Sequence, residues 1–329
     1  MTGKRMKHLV YIVALALIGL LAGCGPAKGP ISPDNGKLTV IATNFPGYDF
    51  VRQVAGDRVN LTMLLPPGSE SHSYEPTPQD MIRVQECDVF ICVGGESETW
   101  VQGILESVDT SGMRVLAMMD IVDVVEEQLV EGMEHDHDHP EEHDHAAEAH
   151  EHEAEYDEHV WTSPRNAMAI SAVISATLAE LDGDNADTYR SACDTYRIQL
   201  ERLDTDIRQV VAAGSRNVLV FGDRFPFRYF VDAYGLDYFA AFPGCSAETE
   251  ASAKTLAFLI DKVKAEEIPT VLHIEFSNEK MADTICEATG AEKLLFHSCH
   301  NVTKAQLEEG VTYLSLMEQN VQALEQALA

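Results

Sequence analysis

Between Gly132 and Trp161 the chain reads GMEHDHDHPEEHDHAAEAHEHEAEYDEHVW, with eight histidines among a dozen carboxylates. Imidazole nitrogen and carboxylate oxygen are the side-chain donors that divalent transition metals take, nitrogen-rich sets suiting Zn²⁺ and oxygen-rich sets Mn²⁺. His135, His137, His139, His143, His145, His150 and His152 alternate with Asp, Glu, Ala and one Pro. No packed element needs that pattern, so the stretch reads as an unpacked acidic loop offering several weak, exchangeable metal sites. His159 is different. Val160 and Trp161 follow it directly, and Ser163-Pro164 is a helix-start signal, which ties this imidazole to a folded element.

Other ligating residues fall at the ends of expected strands, where an open parallel sheet binds its ligands. LLPPGSESHSYEPTPQD carries His72, VFGDRFPFRYF carries Asp223, and LLFHSCHN carries His297 and His300. Singly each is weak. Together they place ligating groups at one rim of two sheets, facing the cleft between them. His273, inside the strand VLHIEF, reads as structural.

The elements behind these residues alternate. LTVIATN (38–44), LTMLLP (61–66), DVFICVG (88–94) and RVLAMMD (114–120) are short apolar runs that end in turn chemistry, with helical spacing at 46–55 and 78–86 between them. NVLVFGD (217–223), DYFAAF (237–242), TVLHIEF (270–276) and EKLLFHSC (292–299) repeat the pattern. Alternating β and α elements predict parallel sheets covered by helices. Between the halves, Tyr189, Ala192, Tyr196, Leu200, Leu203, Ile207 and Val210 recur in steps of three and four, the stripe of one long helix with Asn185 as its cap and Gly214 at its end. The expected fold is α/β, two Rossmann-like parallel-sheet domains joined by a long rigid linking helix, with a metal site in the interdomain cleft. The expected boundaries are 38–183 for the N-terminal domain, which contains the acidic loop at 126–158, then 184–214 for the linking helix and 215–329 for the C-terminal domain.

The N-terminus has a basic region at Lys4, Arg5 and Lys7, an apolar run from Leu9 to Leu21, and then Leu21-Ala22-Gly23-Cys24. The run is short for a membrane span and small residues follow it, so residues 1–23 read as a signal peptide with Cys24 as the lipidated first residue. Residues 24–37, rich in Pro and Gly, read as a tether. The chain has 23 basic and 54 acidic residues, a formal net charge of −31. Such a surface repels nucleic acid and attracts cations. Export permits disulfides, and Cys245 and Cys299 follow two separate expected strands, so they are either a pair or free buried thiols.

HSYEPTPQD, DEHVWTSPRNA, the long helix and the lipobox together resemble the zinc and manganese substrate-binding lipoproteins of bacterial ABC importers. The acidic histidine-rich insertion is similar to that of the zinc-specific members. The resemblance implies a metal in the cleft and delivery to a membrane permease driven by a cytoplasmic ATPase; the chain is also expected to be a monomer, held by its lipid outside the cytoplasmic membrane. It makes His72 and His159 the first and second ligands. The third family position, usually His or Glu, falls on Gly222 counted down the strand and on Arg224 counted back from Tyr229 and Phe230. Asp223 lies between them and is the anionic candidate, since a guanidinium cannot ligate a cation. The fourth position, usually Asp, falls on His297. The expected set is therefore His72, His159 and His297, with Asp223 as a further ligand and His300 as an alternate. Imidazole-rich donors favour Zn²⁺ over Mn²⁺, and binding is expected to fade as imidazoles protonate near their ordinary pKa of about 6.5. A manganese-binding or adhesin-type relative is the nearest alternative. An extracytoplasmic zinc hydrolase, with Glu275 as its base, is more distant, because the chain lacks HExxH, GxSxG and a glycine-rich phosphate loop. The chain is read as a binding protein and not an enzyme.

Overall fold

Eight parallel strands form two four-stranded sheets in a computed structural model, which describes residues 35–69, 74–133, 155–244, 246 and 252–329. The first sheet has the order β2-β1-β3-β4, from Thr39–Ala42 (β1), Asn60–Met63 (β2), Val89–Cys92 (β3) and Arg114–Ala117 (β4). The second has the order β6-β5-β7-β8, from Val218–Phe225 (β5), Asp237–Pro243 (β6), Thr270–His273 (β7) and Glu292–Leu295 (β8). All eight apolar runs of the sequence become strands, and both central pairs are buried on both faces, as parallel sheets require.

The helices start where the sequence supplies caps. Helix α1, Phe45–Ala55, begins at Asn44, whose side chain accepts from Gly47 N–H at 3.2 Å. Helix α2, Pro78–Gln85, begins with a capping box between Thr77 and Asp80. Helix α3 covers Thr99–Ser107. Helix α4, Pro164–Leu181, takes Pro164 in its first turn, but Ser163 makes no side-chain cap.

The long helix α5 runs from Ala186 to Ala213, 28 residues and so about 42 Å at about 1.5 Å per residue. Its buried positions are Tyr189, Cys193, Tyr196, Leu200, Leu203 and Ile207 among others. Asn185 does not cap it. Its amide is taken by Asp182 at 2.7 Å and by Arg58 at 3.2 Å. Beyond α5 come α6 (Arg228–Tyr234), α7 (Ala253–Ala265), α8 (Lys280–Thr289), α9 (Lys304–Glu308) and α10 (Tyr313–Ala327).

Residues 38–329 form one compact unit. Its main core joins α1, α4, α5 and α10 to the inner faces of both sheets, through Phe50, Trp161, Tyr196, Leu200, Phe221 and Tyr313. Smaller apolar clusters lie under α7 and α8, and under α2 and α3. The C-terminal ends of both sheets therefore sit on a common packed base, which positions the loops that leave them.

Candidate metal centre

Six described segments meet. The exit of β2 as far as Ser69, the turn before α4, the end of β5, the exit of β6 at Gly244, the exit of β7 and the exit of β8 line one cavity of about 30 Å³, with His159, His300, Arg224 and Glu275 among its walls. That volume holds an ion or one or two waters. It is far below the roughly 300 Å³ at which organic-ligand pockets begin.

His159 is 2% exposed. Its Nδ1 lies 3.2 Å from Asp157 Oδ1, and the same oxygen accepts the His159 backbone N–H at 2.8 Å. Burial disfavours the charged ring, but the carboxylate of Asp157, aided by Glu158 and Glu127, outweighs it and holds the pKa above the ordinary histidine value. The ring stands 5.5 Å from Trp161 and 5.7 Å from His300, edge to face in both cases. His300 packs on Trp161 at 4.9 Å, so one buried indole braces both imidazoles. Trp161 is itself held by its Nε1–H donating to Ser298 O at 2.8 Å, and Tyr313 Oη–H donates to Trp161 O at 2.7 Å.

The loop after β8 is tightly fixed. Glu275 accepts from Ser298 N–H at 2.7 Å, from Ser298 Oγ–H at 2.6 Å and from His300 N–H at 3.3 Å. Asn301 Nδ2 donates to Pro66 O and Ser69 O at 2.9 and 2.8 Å, which sews this loop to the exit of β2. Phe276 and Cys299 have φ of 60° and 63°, left-handed values unusual for side chains of these kinds. Both belong to the loops around the cavity.

The sequence candidates separate in the structure. His159 and His300 line the cavity. His297 is 3% exposed and does not line it: the Asn320 amide clasps its backbone at 2.7 and 2.8 Å, and its Nδ1 accepts from Cys299 N–H at 2.9 Å. Asp223 turns to the backbone, accepting from Arg224 N–H at 2.8 Å and Ile274 N–H at 3.1 Å.

The reason lies in β5. A bulge between Phe221 and Arg224 lets three steps along β5 match two along β6. This re-aims the side chains beyond it and puts Arg224 into the cavity wall. His273 ends β7 with Nδ1 3.1 Å from Ile274 O. His72, the seven loop histidines, Cys24 and Cys245 lie outside the described residues, among which Cys299 is a free, buried thiol. Among the described residues no three His, Cys, Asp or Glu side chains form a metal-holding group.

Sequence reasoning passed over Asp157, and weighed Glu275 only as the base of an enzyme. The available signals were an acid two residues before His159 and a carboxylate at the exit of β7. A second cavity, of about 710 Å³, opens beyond β3 and β4. Its walls carry Glu96, Glu98, Asp120 and Glu158 but no imidazole.

The sequence profile of the zinc-uptake complex component A periplasmic family matches residues 40–327. This chain belongs to that family. Within reach of it, the high-affinity zinc uptake system protein ZnuA of Bacillus subtilis (strain 168) is 30% identical over 325 residues, 99% of this chain and 98% of that protein. The zinc-binding lipoprotein AdcA of Streptococcus pneumoniae is 29% identical over 322 residues, 98% of this chain. The chain spans 61% of AdcA's length. The crystal structure of the Zn(II)-bound ZnuA-like domain of Streptococcus pneumoniae AdcA superposes with a TM-score of 0.71 at 27% identity, covering 89% of this chain and 99% of that one. The two-sheet α/β architecture is thus the family's own.

Proposed function

We propose that this protein captures zinc outside the cytoplasmic membrane and delivers it to the permease of an ABC importer powered by a cytoplasmic ATPase, with a lipid on Cys24 as its anchor. The observation that carries the reading is that His159 and His300 wall a single ion-sized cavity, braced by one indole. Two imidazoles suit zinc better than manganese. The cavity is too small for an ester or phosphate substrate, which favours binding over hydrolysis. The names of the Bacillus and Streptococcus relatives agree with zinc as cargo.

The proposed ligands are His159 and His300, with His72 as the third. Ser69, pinned by Asn301, borders the cavity three residues before His72, and three residues span up to about 10 Å. His297 and Asp223, ligand candidates by sequence, act in this reading as braces of the loop after β8 and of the β5–β7 junction. The histidines between His135 and His152 form an accessory set that passes zinc to the cavity.

Cobalt(II) tests the donor set. Chelator-stripped protein lacking residues 132–152 should give the intense visible bands of a tetrahedral, nitrogen-rich Co²⁺ site, removed by one equivalent of Zn²⁺ and absent in His159→Ala. Bands that survive His159→Ala would place the metal elsewhere.

A further inference from the structure

Asp157 is buried completely, and one of its two oxygens does nothing visible. Oδ1 is occupied twice, by the N–H and by the Nδ1 of His159. Oδ2 is buried and has no hydrogen-bond partner among the described residues. The residue cannot relax away from this position. Its N–H donates to Val125 O at 3.0 Å, and its carbonyl accepts from Tyr229 Oη–H at 2.6 Å. On the far side Gly244 closes in: a Cβ there would lie 3.2 Å from Oδ2 and 2.9 Å from Phe225 O. A carboxylate held with an oxygen unsatisfied is a standing destabilisation that calls for an explanation.

We propose that Asp157 is a positioning residue for metal capture, fixing both the tautomer of His159 and the counter-charge behind it. The inference rests on the reading of His159 as a zinc ligand. An ionised carboxylate only accepts, so the hydrogen bond to Nδ1 requires the proton there. The lone pair of the neutral ring is then on Nε2, the nitrogen that a cation bound by this ring would take. A carboxylate behind a ligating imidazole also raises its basicity and strengthens the bond to metal. While the ring is neutral, the buried charge on Asp157 has no counter-ion in the metal-free chain, and it gains one once a divalent cation sits across the ring.

This gives the two states opposite responses to one substitution. In Asp157→Asn the amide oxygen keeps the contact to His159 while the buried charge is gone. At a pH high enough for the ring to be neutral, the metal-free variant should melt at or above the temperature of the wild type, while its Zn²⁺ affinity, measured by competition with a chromophoric chelator, falls about 10- to 100-fold. Asp157→Ala, which removes the acceptor too, should lose at least as much. Imidazole ¹⁵N chemical shifts of metal-free wild type, recorded where the ring is neutral, should show the His159 proton on Nδ1.

A purely structural Asp157 would instead make Asp157→Asn melt lower while Zn²⁺ affinity stays within about threefold, and that pair of results would overturn the proposal. So would a His159 proton on Nε2. If His159→Ala leaves Zn²⁺ affinity intact, the ligand reading fails separately, and the proton position in the metal-free ring still decides whether Asp157 holds it.

Discussion

At the scale of residues, the proposed site depends on which side chains of two short motifs reach the cavity. His159 was legible because a buried aromatic and a helix start follow it, and any such position must be part of the fold. His297 and His300 were both legible as strand-end histidines, but spacing could not rank them. Cys299, in a left-handed conformation between them, turns the chain so that His300 meets Trp161 while His297 is clasped by Asn320. The supporting carboxylates stayed hidden, because Glu275 and Asp157 act on backbone N–H groups and on one ring nitrogen, contacts that leave no periodicity. Replacing His300 with Ala should weaken zinc binding more than about 100-fold, beyond the loss expected for a supporting partner. His273→Ala, at the end of β7 and outside the cavity, should leave it within about threefold. Chelator competition on the two variants side by side checks both.

At the scale of elements, β5 shows what sequence could and could not give. Its existence was plain from NVLVF, yet the register beyond Phe221 depends on pairing with β6, and the bulge there decides that Arg224 and not Asp223 enters the cavity wall. Gly222 is needed in the same stretch, because a Cβ would stand 2.7 Å from Ala282 Cα and 2.8 Å from its nitrogen, against the backbone of α8. Gly222→Ala should therefore destabilise the chain by about 1–3 kcal/mol in urea unfolding, the usual cost of overpacking.

The turn after β3 makes a second case. Burial, with the charge of Glu158, pushes Glu98 up to about 7, against the Val93 N–H that donates to it at 2.7 Å. The folded chain then holds this proton at pH values where the unfolded chain has released it. The contribution is complete below about pH 4.5 and is lost as pH rises through 7, on the order of 3 kcal/mol. Glu98→Gln should remove that part of the decline in stability between pH 5 and 8. An unchanged profile would mean that Glu98 ionises normally.

At the scale of the whole molecule, the two sheets share one base. Helix α5 was readable end to end from its apolar stripe, because a 28-residue amphipathic period has few rival interpretations. That its buried face joins a core common to both sheets could not be read, since it depends on α1, α4 and α10 packing around it. Residues 38–329 should accordingly unfold in a single thermal transition. Leu200→Ala, at a fully buried position in mid-helix, should lower that transition as a unit, at about 2–5 kcal/mol, without splitting it. Two resolved transitions would show that the halves are stable separately.

The formal net charge of −31 attracts cations of every kind, so weak metal uptake alone says little. The deciding measurement is a calorimetric titration of chelator-stripped protein lacking residues 132–152, with Zn²⁺ and Mn²⁺ run separately and a His159→Ala, His300→Ala double variant beside it. A zinc site built on His159 and His300 should give one tight Zn²⁺ per chain, a much weaker Mn²⁺ response, and loss of the tight site in the double variant. Absence of a tight site in the loop-deleted chain, or a tight site that survives the double substitution, would rule that site out.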